Sequence, residues 1–566
     1  MLVVLNLPNQ RVAFFLSQPA NPPHSANLTV RKSVMKFARR LLFCLVLLAL
    51  SPVCLRVCAG DWPQWGGHDD RNMVSSETGL PDSFVPGQKE VDGSAIRMGT
   101  TEHVLWAARL GSYSFGNSIV ARGRVVVGTD VKTLAADERF KFTKGGLVKC
   151  LDASTGKLIW QLITPMRKDL PKAMHFSQQH LGTCSSALIE GDRLYVVTSA
   201  AEVLCLDLEG LANGNQGPFT NEAQYFAGEG QPPVTLTNTD ADILWRFDPI
   251  TELGIYIHDA ASSSVLMHGD FLYVTLANGV DGGHEKIHAP GAPVLIALDK
   301  RTGRLVAKEN EGISARLFHA QWSSPSLGLV NGQPLVFLGG GDGVCYAFRA
   351  LAKAGDGVMN LEKVWSYDCN PPNFRLREGK PIRYVLGDKR RKDTLNQNDG
   401  AYVGPCDIIA TPVFHQNRVY VAIGQDPAHG RGRGMFHCID ATQTGDITKS
   451  GRVWSYDGIE RSLASAAVAN GLVYVTDLSG KLHCLDAVTG AVRYVYETHA
   501  ETWGGPLVAD GKLYFGNQKG LFIMRAGPEP VLLNKIVLGA AAHSTPVAAN
   551  GVLYVASQNF LWAVRK

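Results

Sequence analysis

The sequence predicts an all-β fold: an eight-bladed β-propeller of four-stranded antiparallel blades, with the ring closed by an N-terminal strand. Three observations lead there. The 566-residue chain is 45% hydrophobic, with 59 glycines, 28 prolines and only 19% charged residues. That composition suits many turns around a large core rather than long helices. Two sequence elements also alternate along the chain, and the two ends of the array complement each other.

The first element has a small-residue start, a short apolar run, a Gly or Asn turn and a Tyr/Val strand. Examples are "SSALIEGDRLYVVT", "SSSVLMHGDFLYVT", "ATPVFHQNRVYVAI" and "STPVAANGVLYVAS". Period-two alternation across such a turn predicts antiparallel strands A and B. The second element is "GGLVKCLDASTGKLIW" from Gly145. Its relatives start at Ala201, Ala292, Gly434 and Gly480. It reads as strands C and D joined by the "TG" turn. Eight A–B pairs begin near Asn117, Ser185, Ser262, Ser323, Ala410, Ala464, Gly504 and Ser544. One such unit cannot cover both of its faces, so the units are expected to stack into a ring. The last unit, "STPVAANGVLYVASQNFLWAVRK", stops after strand C. "EHVLWAARL", Glu102 to Leu110, matches the other D strands and is expected to complete blade eight, removing the open seam.

Residues 1–59 carry seven Lys/Arg and no Asp/Glu. From Met35, the expected true start, a basic opening leads into an apolar run from Leu41 to Leu50 and a small-residue exit at Val57-Cys58-Ala59, the pattern of a secretory signal peptide. The run is too short to span a bilayer, and no permanent membrane span is expected. Valine precedes both Cys54 and Cys58, which argues against a lipid anchor. The chain is therefore expected to be exported, to the periplasm or beyond, with an N-terminal extension at 60–101 and the propeller at 102–566. Seven of the 55 Lys/Arg lie in the leader, leaving 48 against 51 Asp/Glu. That balance offers nothing to a nucleic-acid partner.

The "LDxxTGxxxW" turns and the D-strand tryptophans Trp106, Trp160, Trp245, Trp365 and Trp454 carry a resemblance. From about Asp61 onward, the chain resembles the PQQ-like (quinoprotein alcohol dehydrogenase-like) eight-bladed propeller repeat family. The opening "DWPQWGG" is similar to the mature starts of its secreted, planctomycete-type members. The resemblance implies that each tryptophan docks one blade on the next across the TG turn. Ala307, Tyr494 and the apolar strand near Ile536 depart from this pattern in blades three, six and seven. It also implies two functions. One is a non-catalytic binding or scaffold module in the cell envelope, as in the related propeller lipoprotein of the barrel-assembly machinery, with an envelope protein or cell-surface component as partner. The alternative is a PQQ-dependent oxidoreductase of alcohols or sugars, with PQQ and calcium at the channel mouth. Catalytic members carry adjacent cysteines, and this chain has no Cys-Cys pair and no CxxCH.

In this topology the D-to-A and B-to-C connections share one face, here called the A-start face. Most of the long connections fall there: Asp130–Gly145, Val280–Pro293 and Gln425–Gly434, with Ile163–Thr183, Pro249–Ala261 and Pro371–Asp407. The long C-to-D insert, Leu211–Asp240, decorates the other face. Loops at one rim usually carry propeller function, so the site is expected at the A-start face. His180, His258 with Asp259, His319 with Trp322, Asp407, Trp503 and His543 precede strands A and are expected to ring the channel mouth. Gln425, Asp426 and His429, in "GQDPAHGRGRG", are expected above it. Such residues hold a planar cofactor, an anion or a metal, or else simply hydrogen-bond one another around the axis; both readings stay open.

No catalytic residue and no metal-ligand set is assigned: GxSxG and paired CxxC are both missing from the sequence. The serine-rich starts "CSSA", "SSSV" and "WSSP" read as small residues where strands converge. Cys150, Cys205, Cys438 and Cys484 share one strand-C position, with Cys345 the expected equivalent in blade four. They read as buried hydrophobes. A Cys369–Cys406 bridge is the one disulfide candidate, closing a basic insert that is either a docking loop or a solvated one.

Overall fold

The alternating repeats assemble as strand pattern and turn chemistry dictate. In the computed structural model the described residues are 3–7, 10–14, 60–170, 180–384 and 403–566. The segment from Met35 that is expected to be a signal peptide, and residues 385–402 of the basic insert, lie outside them. Met1–Arg56 forms a separate unit, in which Val3–Leu7 pairs antiparallel with Gln10–Phe14. No helix among the described residues is long and apolar enough to cross a membrane.

Among the described residues, eight sheets follow the order A-B-C-D. Blade 1 comprises Ile119–Ala121, Arg124–Asp130, Gly145–Asp152 and Leu158–Pro165, and strands A of blades 2 to 8 begin at Leu188, Leu266, Ser326, Val413, Ala467, Leu507 and Val547. Blades 3 and 4 depart from four strands. Met359–Asn360 adds in parallel outside blade 3, and Gly445–Asp446 outside blade 4. The ring closes as the complementary ends require, with Val104–Arg109 pairing antiparallel with Phe560–Val564.

A line of residues across each blade builds the core. Tyr195–Cys205–Trp245 in blade 2, Tyr420–Cys438–Trp454 in blade 5 and Tyr554–Ala563–Trp106 in blade 8 stand directly opposite one another on strands B, C and D. Just past this line, the C–D register slips by one residue in all eight blades. Such a bulge twists the outer strand. In blade 4 the line runs Phe337–Ala347–Trp365, so Ala347 is the equivalent of the cysteines. Cys345 stands two residues earlier, opposite Tyr367: the fourth residue of strand C, Cys438 and Cys484 in blades 5 and 6, is Ala347 in this blade.

Each indole reaches the next blade. Trp106 Nε1 donates to the Ala153 carbonyl at 2.9 Å, Trp160 to Leu208 at 2.8 Å, Trp245 to Lys300 at 3.1 Å, Trp365 to Ala441 and Trp454 to Ala487 at 3.2 Å each. Gly156 of the TG turn lies under the Trp106 ring with φ +69°. A Cβ there would sit 2.5 Å from the indole, so the turn needs glycine twice over. Asp152 shapes the same turn by accepting from the amides of Ser154 and Thr155.

Strands A line the channel, and their inward amides would be left without partners. Residues 60–77 supply those partners, blade by blade and nearly in chain order. One equivalent strand-A position recurs in six blades. There Val120, Ile189, Leu327, Phe414 and Val508 donate to the carbonyls of Trp62, Pro63, Asp69, Asp70 and Met73, while Val468 exchanges two bonds with the Asn72 amide. Blade 8 takes Ser75 and Glu77, the latter accepting from Asn550 and Gly551 in its A–B turn. Arg71, 0% exposed, donates to the carbonyls of Val265, Pro325 and Trp65 and to the Gln64 amide oxygen. Burial lowers its guanidinium to about 10. The segment thus plugs the channel at its A–B end.

Candidate functional site

Above the plug, small residues at the strand-A starts leave a cavity of about 180 Å³ open to the A-start face, with Trp65 of the plug in its lining. One repeat position from each blade lines it: Asn117, Ser186, Ser264, Ser324, Thr411, Ser465, Gly505 and Thr545. Part of this ring is hydrogen-bonded in series. The Thr545 amide donates to Asn117 Oδ1 at 2.6 Å, Asn117 to Ser186 Oγ at 3.1 Å, Ser186 to Ser264 Oγ at 3.1 Å and Ser264 to Ser324 Oγ at 2.8 Å. The serine-rich starts therefore serve as an inter-blade belt.

Two residues before each belt position stands a second ring, and Trp322, Trp503 and His543 belong to it. Trp503 and His543 lie 4.4 Å apart, and both rings stack with Phe115, at 5.5 and 5.7 Å. Burial pushes the His543 imidazole down to about 4, so it is neutral at physiological pH. Phe115 was not singled out from sequence. Aligning the blades on the belt position exposes it.

His258, His319 and Asp407 stand further back from the belt and do not join this ring. The expected six-blade circle therefore divides in two, because residues "just before strand A" occupy different depths in different blades. His258 and His319 flank one loop of blade 3, where Ile257 bridges Asn278 and Ala320 bridges Gly279. The same loop then turns at 281–286. Asp281 Oδ1 accepts from the amides of Glu285 and Lys286, holding His284 at φ +58°. His284, also missed from sequence because it precedes no strand A although it opens the H-E-x-x-H string His284–His288, is carried back over the other two. Ring centroids are 4.2 Å apart for His258 and His319, 5.0 Å for His258 and His284, and 4.7 Å for His284 and His319. His429 lies 5.0 Å from His319 and 5.4 Å from His284.

The protonation of this cluster follows from its partners. His258 Nδ1 lies 2.7 Å from the Val280 carbonyl, which can only accept, so Nδ1 carries the proton. His258 Nε2 then faces the Asp259 carboxylate at 3.5 Å. His284 Nε2 and His319 Nε2 are 2.8 Å apart and share one proton. His319 is 1% exposed, and its Nδ1 has no hydrogen-bond partner among the described residues. Burial, then the neighbouring His258, His429 and His284, hold its imidazole well below the ordinary range and therefore neutral. Trp322 closes the inner side, 4.9 Å from the His319 ring and donating to the His258 carbonyl. Potential ligand atoms of His258, His284 and His319 all lie within 4.8 Å of one another, as do those of Asp259, His319 and Asp426.

The remaining residues frame this centre. Asp426 caps the short 3-10 turn Pro427–His429, accepting from Ala428. Gln425 is buried and donates to the Pro405 carbonyl at 2.7 Å, tying two loops together. Asp407 is fully buried and accepts from the Tyr384 hydroxyl at 3.2 Å. Burial raises its carboxyl well above the ordinary range. His180 stands half-buried ahead of blade 2 and belongs to neither ligand group. Cys369 and Cys406 are free thiols that turn to different carbonyls, those of Tyr367 and of Gly404 with Arg433. Asn370 ties the two segments instead, through two bonds to the Cys406 backbone.

A family model described as outer membrane protein assembly factor BamB matches residues 446–527, from the end of blade 5 through blade 6 into blade 7. No curated protein matches the chain. Among solved structures, BamB from Moraxella catarrhalis is similar at 12% identity, covering 82% of this chain and 99% of its own, with a TM-score of 0.47. The computationally designed Ika8 protein gives 11%, 81%, 98% and 0.44 in the same order. Quinohemoprotein alcohol dehydrogenase from Comamonas testosteroni gives 13%, 89%, 80% and 0.44. The strand order of its own sheets identifies the chain as an eight-bladed β-propeller, with a stretch similar to BamB-type repeats.

Proposed function

We propose that this chain is an exported binding module of the cell envelope that engages an envelope protein or cell-surface component through its A-start face, without catalysis. The plug is the observation that carries this reading. Residues 60–77 occupy the A–B end of the channel, leaving the A-start face as the end where the channel still opens. The match of residues 446–527 to an outer membrane assembly factor supports an envelope role.

PQQ does not fit the central cavity. About 180 Å³ falls below the roughly 300–1,000 Å³ typical of cofactor pockets, and no lining residue carries a formal charge to meet a tricarboxylate or its calcium. Capture from envelope extract tests the proposal. Charge reversal at Glu285 and Lys286, exposed on the blade 3 loop, is expected to abolish recovery of the partner. Reversal at Arg493 of the opposite face is expected to leave it intact. Recovery that survives the first change would remove the A-start face from the proposal. A quinone absorbance retained after incubation with PQQ and calcium would revive the oxidoreductase reading.

A further inference from the structure

We propose that His258, His284 and His319 form a binding site for a single divalent transition-metal ion of the zinc type. This inference is independent of the partner reading, since it concerns what the purified chain itself binds.

The geometry supports it at three points. First, the Val280 carbonyl fixes the proton on His258 Nδ1. A backbone acceptor on one ring nitrogen is the usual way a protein presents the other nitrogen's lone pair to a metal. That lone pair lies 3.5 Å from the Asp259 carboxylate, whose negative charge favours a dication at this nitrogen. Second, His284 Nε2 and His319 Nε2 approach to 2.8 Å around a single proton. Two imidazole nitrogens on a tetrahedral zinc, each about 2.0–2.1 Å from the ion, stand roughly 3.3 Å apart. A separation of rings by about half an ångström therefore exchanges the proton for the metal. Third, ligand atoms of all three histidines lie within 4.8 Å of one another, and His319 among them is 1% exposed.

The donor set selects the metal. Three imidazoles favour zinc, copper or nickel over calcium or magnesium, which take oxygen shells. Asp259 and Asp426 group around His319 and offset the charge of a dication. Binding releases the proton held between His284 and His319.

The test uses the full chain, stripped with a chelator and titrated with Zn2+ by calorimetry, with Co2+ as a spectroscopic probe. One ion per chain is expected, with a tetrahedral cobalt visible spectrum. His284→Ala and His319→Gln are each expected to weaken binding at least about 100-fold, beyond the 10–100-fold that outer-shell changes produce. His415→Ala, in an A–B turn of blade 5, is expected to change nothing. His284 lies on an exposed turn, so its variant reports on the site even where His319→Gln fails to fold. Absence of retained zinc, equal affinity in His284→Ala and His415→Ala, or displacement of zinc by equimolar Ca2+ would overturn the proposal. Partner capture can fail while zinc binds, and the reverse, so the two proposals stand or fall separately.

Discussion

The two ends of the channel solve the same problem in opposite ways. At the A–B end, the strand-A amides and the plug satisfy each other almost completely. Arg71 alone closes four acceptors from the plug itself and blades 3 and 4. At the A-start face, buried polar atoms remain unmatched: His319 Nδ1, His543 Nδ1 and Asp407 Oδ1 have no hydrogen-bond partner among the described residues. Buried polar groups are nearly always paired, so a concentration of exceptions at one end marks where stability has been given up. One end specifies the ring, and the other is where the proposed partner and metal would bind.

That contrast is most strongly tested by Arg71→Ala. Removing the guanidinium leaves up to four buried acceptors unsatisfied, each worth about 1–3 kcal/mol, so a loss of more than about 3 kcal/mol in urea unfolding is expected. A loss under about 1 kcal/mol would mean that the plug is an accessory rather than part of the ring.

Next in size is Asp407→Asn at the open end. The carboxyl of Asp407 is raised in the folded chain, chiefly by burial and against the help of the Tyr384 hydroxyl. The folded state then binds a proton that the unfolded state releases above its ordinary value near 3.8. Wild-type stability is full below that value and falls as pH rises toward the folded pKa, with a slope of up to about 1.4 kcal/mol per pH unit. Asparagine carries no such linkage. The variant is therefore expected to gain on wild type as pH rises above 4 in paired urea titrations. A pH-independent difference would show Asp407 ionised in the fold.

Most of the architecture was legible in the sequence because it repeats. Strand alternation, the TG turn and the complementary ends are local signals copied from blade to blade, and each copy corrects the reading of the others. Cys345 shows the limit, since cysteine spacing alone points to a register that Ala347 holds. The site was legible only in part, for a related reason. His258 and His319 stand out before strands A, but their common partner His284 comes from a B-to-C loop with no counterpart in other blades. A unique loop folded back by the Asp281 turn leaves no periodic trace. The plug was invisible for the same cause: residues 60–77 are not a repeat, and their role depends on eight strands brought together far along the chain.

The smallest effect is the sharpest test of the comparison. If His319 is held for a ligand rather than for the fold, replacing it with a similarly sized apolar residue should not weaken the metal-free protein. His319→Leu removes an unpaired buried nitrogen and fills the same space beside Trp322, and exchange of a buried polar group for an apolar one of like shape is near neutral or stabilising. The shared proton with His284 is lost, but His284 sits on a loop with access to water. Stability of the chelator-stripped variant is expected within about 1 kcal/mol of wild type, on either side. The zinc-induced rise in Tm, present in wild type, should vanish in the variant. A metal-free loss of about 3 kcal/mol would instead make His319 a structural residue like Arg71, and the two ends of the channel would no longer differ in kind.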